Sequence, residues 1–309
     1  MAANPYKRIG LFDSGVGGLS VLRQVALSCN GAQFIYLGDE ARCPYGNRQK
    51  SEIGLFVDEI VTYLTSFQLD ALIMACNTSC AMALDVAQAR IQRSPATALF
   101  DLIEPTAQYL AESAECSKIG VMATFGTVST RAFSLALRRH GYSGEVAEVA
   151  CPALVPLIES GKLAEEAQNE LLRAALKSYL LSLAGSSMII LGCTHFPFVA
   201  SDIESLLLTD KDLQACFPEG VKLIDPALVL CRRLFTSAVS GLPAEDKYAE
   251  ARQIDYFSPA FTFYTTGAVE SFERAAAACL KTPVPRPLHL EVSVLEANGS
   301  ASRNSVVEI

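Results

Sequence analysis

Two segments of the chain end in the same way: Ala71-Leu-Ile-Met-Ala-Cys76-Asn77-Thr78 and Ser187-Met-Ile-Ile-Leu-Gly-Cys193-Thr194-His195. Each reads as a buried apolar strand that stops at a cysteine and is followed by a polar residue suited to cap a helix. In parallel α/β sheets ligands bind outside the carboxyl ends of the strands, which is where both thiols fall. A helix N-terminus lowers a thiol's pKa, so each cysteine is expected to reach its thiolate near neutral pH. A single strand-end cysteine is ordinarily just a small buried apolar residue. A pair from facing strands could do two-base chemistry, one thiolate removing a Cα proton from an amino acid while a thiol on the opposite face returns one. The carbanion that develops needs oriented donors. Ser14, Asn77, Thr78 and Thr194, with the amides after each strand, are suited to hold an α-carboxylate. His195, two residues past Cys193, is placed to tune that thiol's proton.

Other chemistries compete for the same residues. Asp13-Ser14-Gly15-Val-Gly17-Gly18-Leu-Ser20 follows a strand and opens a helix, where a dinucleotide-binding Gly-x-Gly-x-x-Gly would lie, and Asp39 ends the next strand near a ribose-binding acid's spacing. Ser20 holds the place of the third glycine, and Asp13 sets a carboxylate where pyrophosphate would sit. The plainer reading is a tight turn that lets a small anion approach the backbone. Cys76, Cys80, Cys193 and His195 could make a Cys₃His zinc set, but the spacing is unusual for one, and Cys80 reads as a packing residue one turn beyond Cys76. No lysine lies in these motifs to form a Schiff base with a coenzyme. Neither a metal nor a cofactor is therefore expected. Cys29, Cys43, Cys116, Cys151, Cys216, Cys231 and Cys279 show no pairing pattern and read as structural.

Positioning the twin cysteines requires an α/β scaffold. Short apolar runs alternate with longer segments of helical period, the mark of a parallel sheet with crossover helices. Strands are expected over Arg8 to Asp13, Gln33 to Leu37, Ala71 to Ala75, Ala98 to Ile103, Lys118 to Met122, Val146 to Ala150, Ser187 to Leu191 and Lys222 to Ile224. Ile53, Phe56, Ile60, Tyr63, Leu64 and Phe67 recur at helical spacing, as do Leu163, Ala167, Leu171, Ala175 and Tyr179. The expectation is two pseudo-symmetric α/β domains with mostly parallel central sheets and the active site in the cleft between them. Residues 1–99 with 220–309 make the first, carrying Asp13 and Cys76, and residues 100–219 make the second, carrying Cys193. Further on, a helix is expected over Pro226 to Ser240, short elements that return to the first half, a strand near Leu288 to Val294, and a loose tail over Asn298 to Ile309.

Composition narrows the setting. Half of the 309 residues are hydrophobic and 19% are charged, so the chain can bury a full core and is not a disordered linker. Lysine and arginine number 25 against 33 aspartates and glutamates, a net charge of -8 that disfavours nucleic acid and anionic membranes as partners. The start lacks a signal peptide's apolar core and no later run approaches a membrane span, which points to a cytoplasmic protein with reduced thiols.

Taken together, these motifs resemble the cofactor-independent glutamate racemases of the aspartate/glutamate racemase superfamily. The resemblance rests on Ile9-Gly-Leu-Phe-Asp13-Ser14-Gly-Val-Gly-Gly-Leu, Gly38-Asp-Glu-Ala-Arg-Cys-Pro44-Tyr45-Gly46, Ala75-Cys76-Asn77-Thr78, Thr124-Phe-Gly-Thr127, Cys151-Pro-Ala-Leu-Val-Pro-Leu-Ile-Glu159, Gly192-Cys193-Thr194-His195-Phe-Pro and Ile224-Asp225-Pro, in that order. It implies interconversion of L- and D-glutamate, supply of D-glutamate for peptidoglycan, no cofactor and a homodimer. It also implies Cys76 and Cys193 as the proton donor/acceptors, on D- and L-glutamate respectively, with Asp13, Glu159 and His195 assisting. The substrate contacts it implies are Asp13, Ser14, Pro44, Tyr45, Gly46, Asn77, Thr78, Thr124, Thr194 and His195, with Thr127 competing with Thr124. The sequence departs from the pattern at Glu40, where the family more often has a small hydroxyl residue, and after about residue 280.

Overall fold

Each of the eight expected strands forms in the computed structural model, which describes residues 6–29, 31–113, 117–162, 165–235 and 254–304. They are β1 (Arg8–Asp13), β2 (Gln33–Gly38), β3 (Ala71–Met74), β4 (Ala98–Phe100), β5 (Lys118–Ala123), β6 (Glu145–Ala150), β7 (Met188–Gly192) and β8 (Lys222–Ile224), joined by β9 (Phe261–Thr265) and β10 (Leu288–His289). Two parallel sheets result, ordered β10-β9-β2-β1-β3-β4 and β6-β5-β7-β8. The series β2-β1-β3-β4 and β6-β5-β7-β8 follow one plan, so β3 and β7, the strands that end at the twin cysteines, hold equivalent places. The central strands are apolar along their length because helices cover both faces. Leu11, Phe12, Leu72 and Ile73 are 0% exposed, and burying each such side chain is worth roughly 1.5–3 kcal/mol.

Register sets which residues become neighbours at the carboxyl ends. Phe12 pairs with Met74, so Asp13 and Cys76 emerge side by side, and Ala123 pairs with Gly192, so Thr124 and Cys193 do the same. The periodic segment from Ile53 forms the helix Lys50–Thr65, opened by a capping box between Gln49 and Glu52. That beginning at Leu163 forms the helix Glu166–Leu181, residues 163–164 lying outside the described set.

Several expectations need correction. β4 stops at Phe100, three residues early, because Asp101 turns its Oδ1 to the amides of Ile103 (2.8 Å) and Glu104 (2.9 Å) and starts the helix Ile103–Ser113. Lys222–Ile224 pairs with β7 in the second sheet, although residues 220–309 were expected to lie wholly with the first. The helix after it runs Pro226–Phe235, and the remainder of its expected span to Ser240 lies outside the described residues. The strand expected over Leu288 to Val294 shrinks to Leu288–His289. A helix, Val292–Asn304, takes Val292 to Val294 of that span and the first part of the expected loose tail, whose residues 305–309 are outside the described set. β9 was not singled out, though Phe-Thr-Phe-Tyr-Thr is rich in strand formers. It pairs with β2, stacks Phe261 on Phe34 at 5.0 Å between centroids, and returns the chain to the first sheet. Among the described residues no helix is long and apolar enough to cross a membrane.

Candidate active site

The carboxyl ends of both sheets open on one cavity of about 490 Å³, within the range of small-molecule sites. Ser14 follows β1, Glu40 β2, Cys76 β3, Thr124 β5, Cys151 β6 and Cys193 β7, and all six line it. The twin cysteines thus reach the cavity from different sheets. Of the residues implied by the family pattern, Ser14, Pro44, Tyr45, Gly46, Asn77, Thr78, Thr124, Glu159, Thr194 and His195 also line it.

Asp13 is brought close but not to the surface. It is 0% exposed and stands behind the wall, Oδ1 accepting from the Gly15 amide at 2.8 Å and Oδ2 from the Thr194 hydroxyl at 3.0 Å. Burial raises its pKa, against the His195 charge and these two donors. It does not line the cavity itself and reaches it through Thr194 and through its charge beside Cys76. That charge matters. Burial first and Asp13 second push the Cys76 thiol up to about 11, against hydrogen bonding from Ser79. The expectation of a lowered pKa at the start of the helix Asn77–Ile91 therefore fails for Cys76, because desolvation and a neighbouring carboxylate outweigh the helix terminus.

On the opposite side a chain of contacts runs from Cys193 outward. His195 Nδ1 lies 3.8 Å from the Cys193 sulfur, and Nε2 lies 2.8 Å from Glu159 Oε1. The imidazole is buried, which opposes its charge. Hydrogen bonds to Cys193 and Glu159, with their negative charge, outweigh that and hold its proton well above histidine's ordinary value. Gly17 makes the arrangement possible: a Cβ there would intrude on the imidazole ring and on the Thr194 hydroxyl. The Ser20 hydroxyl ties the same turn to the other half by donating to the Thr194 carbonyl at 2.8 Å.

The glycine turn thus makes room for the His195 side chain. Asp39, the would-be ribose acid, is 0% exposed and fully engaged. It accepts from Arg42 Nε at 2.7 Å, from the Thr266 hydroxyl at 2.8 Å and from the Tyr45 hydroxyl, while Arg42 also reaches Glu59 at 2.6 Å. This network anchors the Pro44-Tyr45-Gly46 segment of the wall. Replacing Arg42 by Met is expected to cost about 3–5 kcal/mol of stability, because two buried carboxylates lose their counter-charge. Urea unfolding checks this, and a loss below about 1 kcal/mol would show that the network does not depend on the ion pairs.

The two threonines differ in position. Thr124 lines the cavity and shares a 2.9 Å hydrogen bond with Thr78, whereas Thr127 is fully buried behind it at 3.1 Å. Cys80 turns away to donate to the Met74 carbonyl at 3.2 Å, and among the described residues no three histidine, cysteine, aspartate or glutamate side chains converge as metal ligands would.

Sequence reasoning missed two wall cysteines. Cys43 and Cys151, read as structural, both line the cavity. Burial, with Glu159 for Cys43 and Cys193 for Cys151, pushes both thiols far up, so they remain protonated. Cys116 lies outside the described residues. Gly267, Ala268 and Ser271, which close the cavity after β9, carried no signal because nothing in their types suggests chemistry.

Comparison with known proteins agrees with this geometry. Residues 9–234 match the Asp/Glu/Hydantoin racemase family. A glutamate racemase of Synechococcus sp. (strain CC9605) is 38% identical over 228 residues, covering 73% of this chain and 78% of that one. Glutamate racemase 2 of Caldanaerobacter subterraneus subsp. tengcongensis is 34% identical, covering 87% and 91%. The crystal structure of glutamate racemase isoform RacE1 from Bacillus anthracis superposes with a TM-score of 0.73 at 30% identity, covering 93% of this chain and 98% of that one. With its family match spanning most of its length and its twin cysteines at equivalent strand ends, this chain belongs to the Asp/Glu/Hydantoin racemase family.

Proposed function

We propose that this chain is a glutamate racemase that works without a cofactor, uses Cys76 and Cys193 as the two proton-transfer groups, and supplies D-glutamate for peptidoglycan in the cytoplasm. Family membership and its relatives make it an isomerase of the amino-acid racemase kind. One observation carries the two-thiol reading: Cys76 and Cys193 end equivalent strands of different sheets and line the same cavity. We read the two sheets as the centres of two domains that grip the substrate between them, and the assembly as a homodimer.

In this reading a thiolate at one face of Cα takes the proton while the thiol at the other face gives one, and the roles reverse for the other enantiomer. His195 sits beside Cys193, so it assists that thiol, with Glu159 orienting its ring. Asp13 assists on the Cys76 side as a positioning residue. Among the described residues no lysine or arginine lines the cavity, so besides His195 the substrate carboxylates rest on neutral donors: the hydroxyls of Ser14, Thr78, Thr124 and Thr194, the Asn77 side chain and the backbone around Pro44, Tyr45 and Gly46. Asn77 Oδ1 is buried with no hydrogen-bond partner among the described residues, an acceptor available to the substrate ammonium.

Circular dichroism of D-glutamate and D-aspartate, each incubated with the purified protein, tests the assignment. The expected result is decay of the D-glutamate signal to zero, undiminished after exhaustive chelation, with D-aspartate unchanged. Decay for D-aspartate alone would make the chain an aspartate racemase, and decay for neither would favour a dicarboxylate-binding protein.

A further inference from the structure

Glu40 has no part in the proton transfers proposed above, yet it is built into the cavity. Its Cγ lies 3.9 Å from where a Gly15 Cβ would stand, the Cys43 sulfur 3.7 Å and Glu159 Oε1 3.5 Å, so two carboxylates converge on one wall. Glu159 is engaged by His195, while among the described residues Glu40 accepts only a long 3.4 Å contact from the Thr265 hydroxyl of β9. The seat is shaped for the side chain: a Cβ at Gly267 would collide with Glu40 Cβ and stand 3.0 Å from Oε2. The groups that face Glu40 are Glu159 at the end of the helix Leu154–Glu159, Thr265 on β9, Tyr36 on β2 and Cys43 on its own loop. None is a cation, and among the described residues the one cationic side chain on the cavity, His195, is already bonded to Glu159.

We propose that Glu40 sets how strongly this cavity holds an anionic substrate: as a neutral carboxyl it donates a hydrogen bond to a substrate carboxylate, and as a carboxylate it repels one. The inference rests on the glutamate racemase reading, because it requires a substrate that brings more carboxylates than ammonium groups. Burial, and after it the Glu159 charge, lifts Glu40 to about 7, with the Thr265 hydroxyl opposing. The switch therefore falls at neutrality, neutral below and ionised above. Rising pH then weakens substrate binding while it enriches the Cys76 thiolate that acts on D-glutamate, so KM and kcat for that enantiomer rise together.

The test is KM for D-glutamate between about pH 6 and 8.5, over which glutamate keeps its charge. Wild-type KM is expected to rise on the order of tenfold, the effect of one negative charge near a bound carboxylate in a partly solvated cavity. Glu40→Gln should hold KM within about twofold across that range, near the wild-type low-pH value, and Glu40→Asp should keep the rise. A role confined to stability would shift Tm without removing the pH dependence. A flat wild-type KM overturns the proposal without any variant, as does an undiminished rise in Glu40→Gln. Failure to turn over glutamate at any pH would instead overturn the racemase reading, and the role of Glu40 with it.

Discussion

Replacing Cys76 or Cys193 by alanine is expected to lower kcat/KM for glutamate racemisation by about 10³-fold, the usual share of a general acid or base, or roughly 4 kcal/mol of transition-state stabilisation. In the proposed mechanism neither direction can finish without both groups, since each enantiomer presents its Cα proton to one thiol and receives a proton from the other. L- and D-glutamate have equal free energy, so the two values of kcat/KM must fall together in each variant. The isotope experiment separates this mechanism from one with a single base. In D₂O the wild type should place deuterium at Cα of the product enantiomer, with little in the recovered substrate at early times, because the returned proton comes from the opposite, solvent-equilibrated thiol. A single base would return the proton it removed. The wall thiols provide a control: Cys43 and Cys151 line the same cavity but are held firmly protonated, so alanine there should leave most of the activity. Near wild-type racemisation in Cys76→Ala or Cys193→Ala would show that the chemistry lies elsewhere.

The twin cysteines were legible because their signal is local. An apolar run followed by Cys-Asn-Thr or Cys-Thr-His encodes a strand, its end and a cavity-facing thiol within ten residues, and parallel topology does the rest. The sheet partner of Lys222–Ile224 was not legible, because strand order in a parallel sheet is decided by crossover packing that leaves no mark in spacing. The internal repeat carried the missing clue, since a fourth strand beside β3 implies a counterpart beside β7. Cys76 shows the limit for chemistry. Its place at a helix start is visible in the sequence, but the buried Asp13 that overrides the helix comes from a different strand, and only the β1–β3 register reveals it. Glu40 stood out as a departure from the family pattern, while its seat depends on Gly267 and Thr265, far along the chain.

His195→Asn is expected to produce the second largest loss, about 10²-fold in kcat/KM. The imidazole touches only one of the two thiols, 3.8 Å from Cys193, and Glu159 holds its far nitrogen at 2.8 Å. Its loss therefore raises the barrier for proton transfer at Cys193 and leaves the transfer at Cys76 nearly untouched. Equal energies of the enantiomers still force both values of kcat/KM down by the same factor. The asymmetry appears in the Cα-deuterium isotope effect. It should grow for the enantiomer whose proton goes to Cys193, L-glutamate by family resemblance, and shrink for D-glutamate, because the Cys193 step now limits both directions. Gly17→Ala offers a second route to the same signature, since the added Cβ pushes the ring aside without removing its chemistry. The pH dependence has a definite sign. The folded site binds the His195 proton more tightly than the unfolded chain does. The contribution of the His195–Glu159 pair to stability is thus fully present below histidine's ordinary value near 6.5 and is lost as pH rises through the higher folded value. His195→Asn should destabilise the protein more at acid than at alkaline pH. Equal isotope effects for the two enantiomers in His195→Asn would mean that the ring serves both thiols or neither, and the one-sided assignment would have to be abandoned.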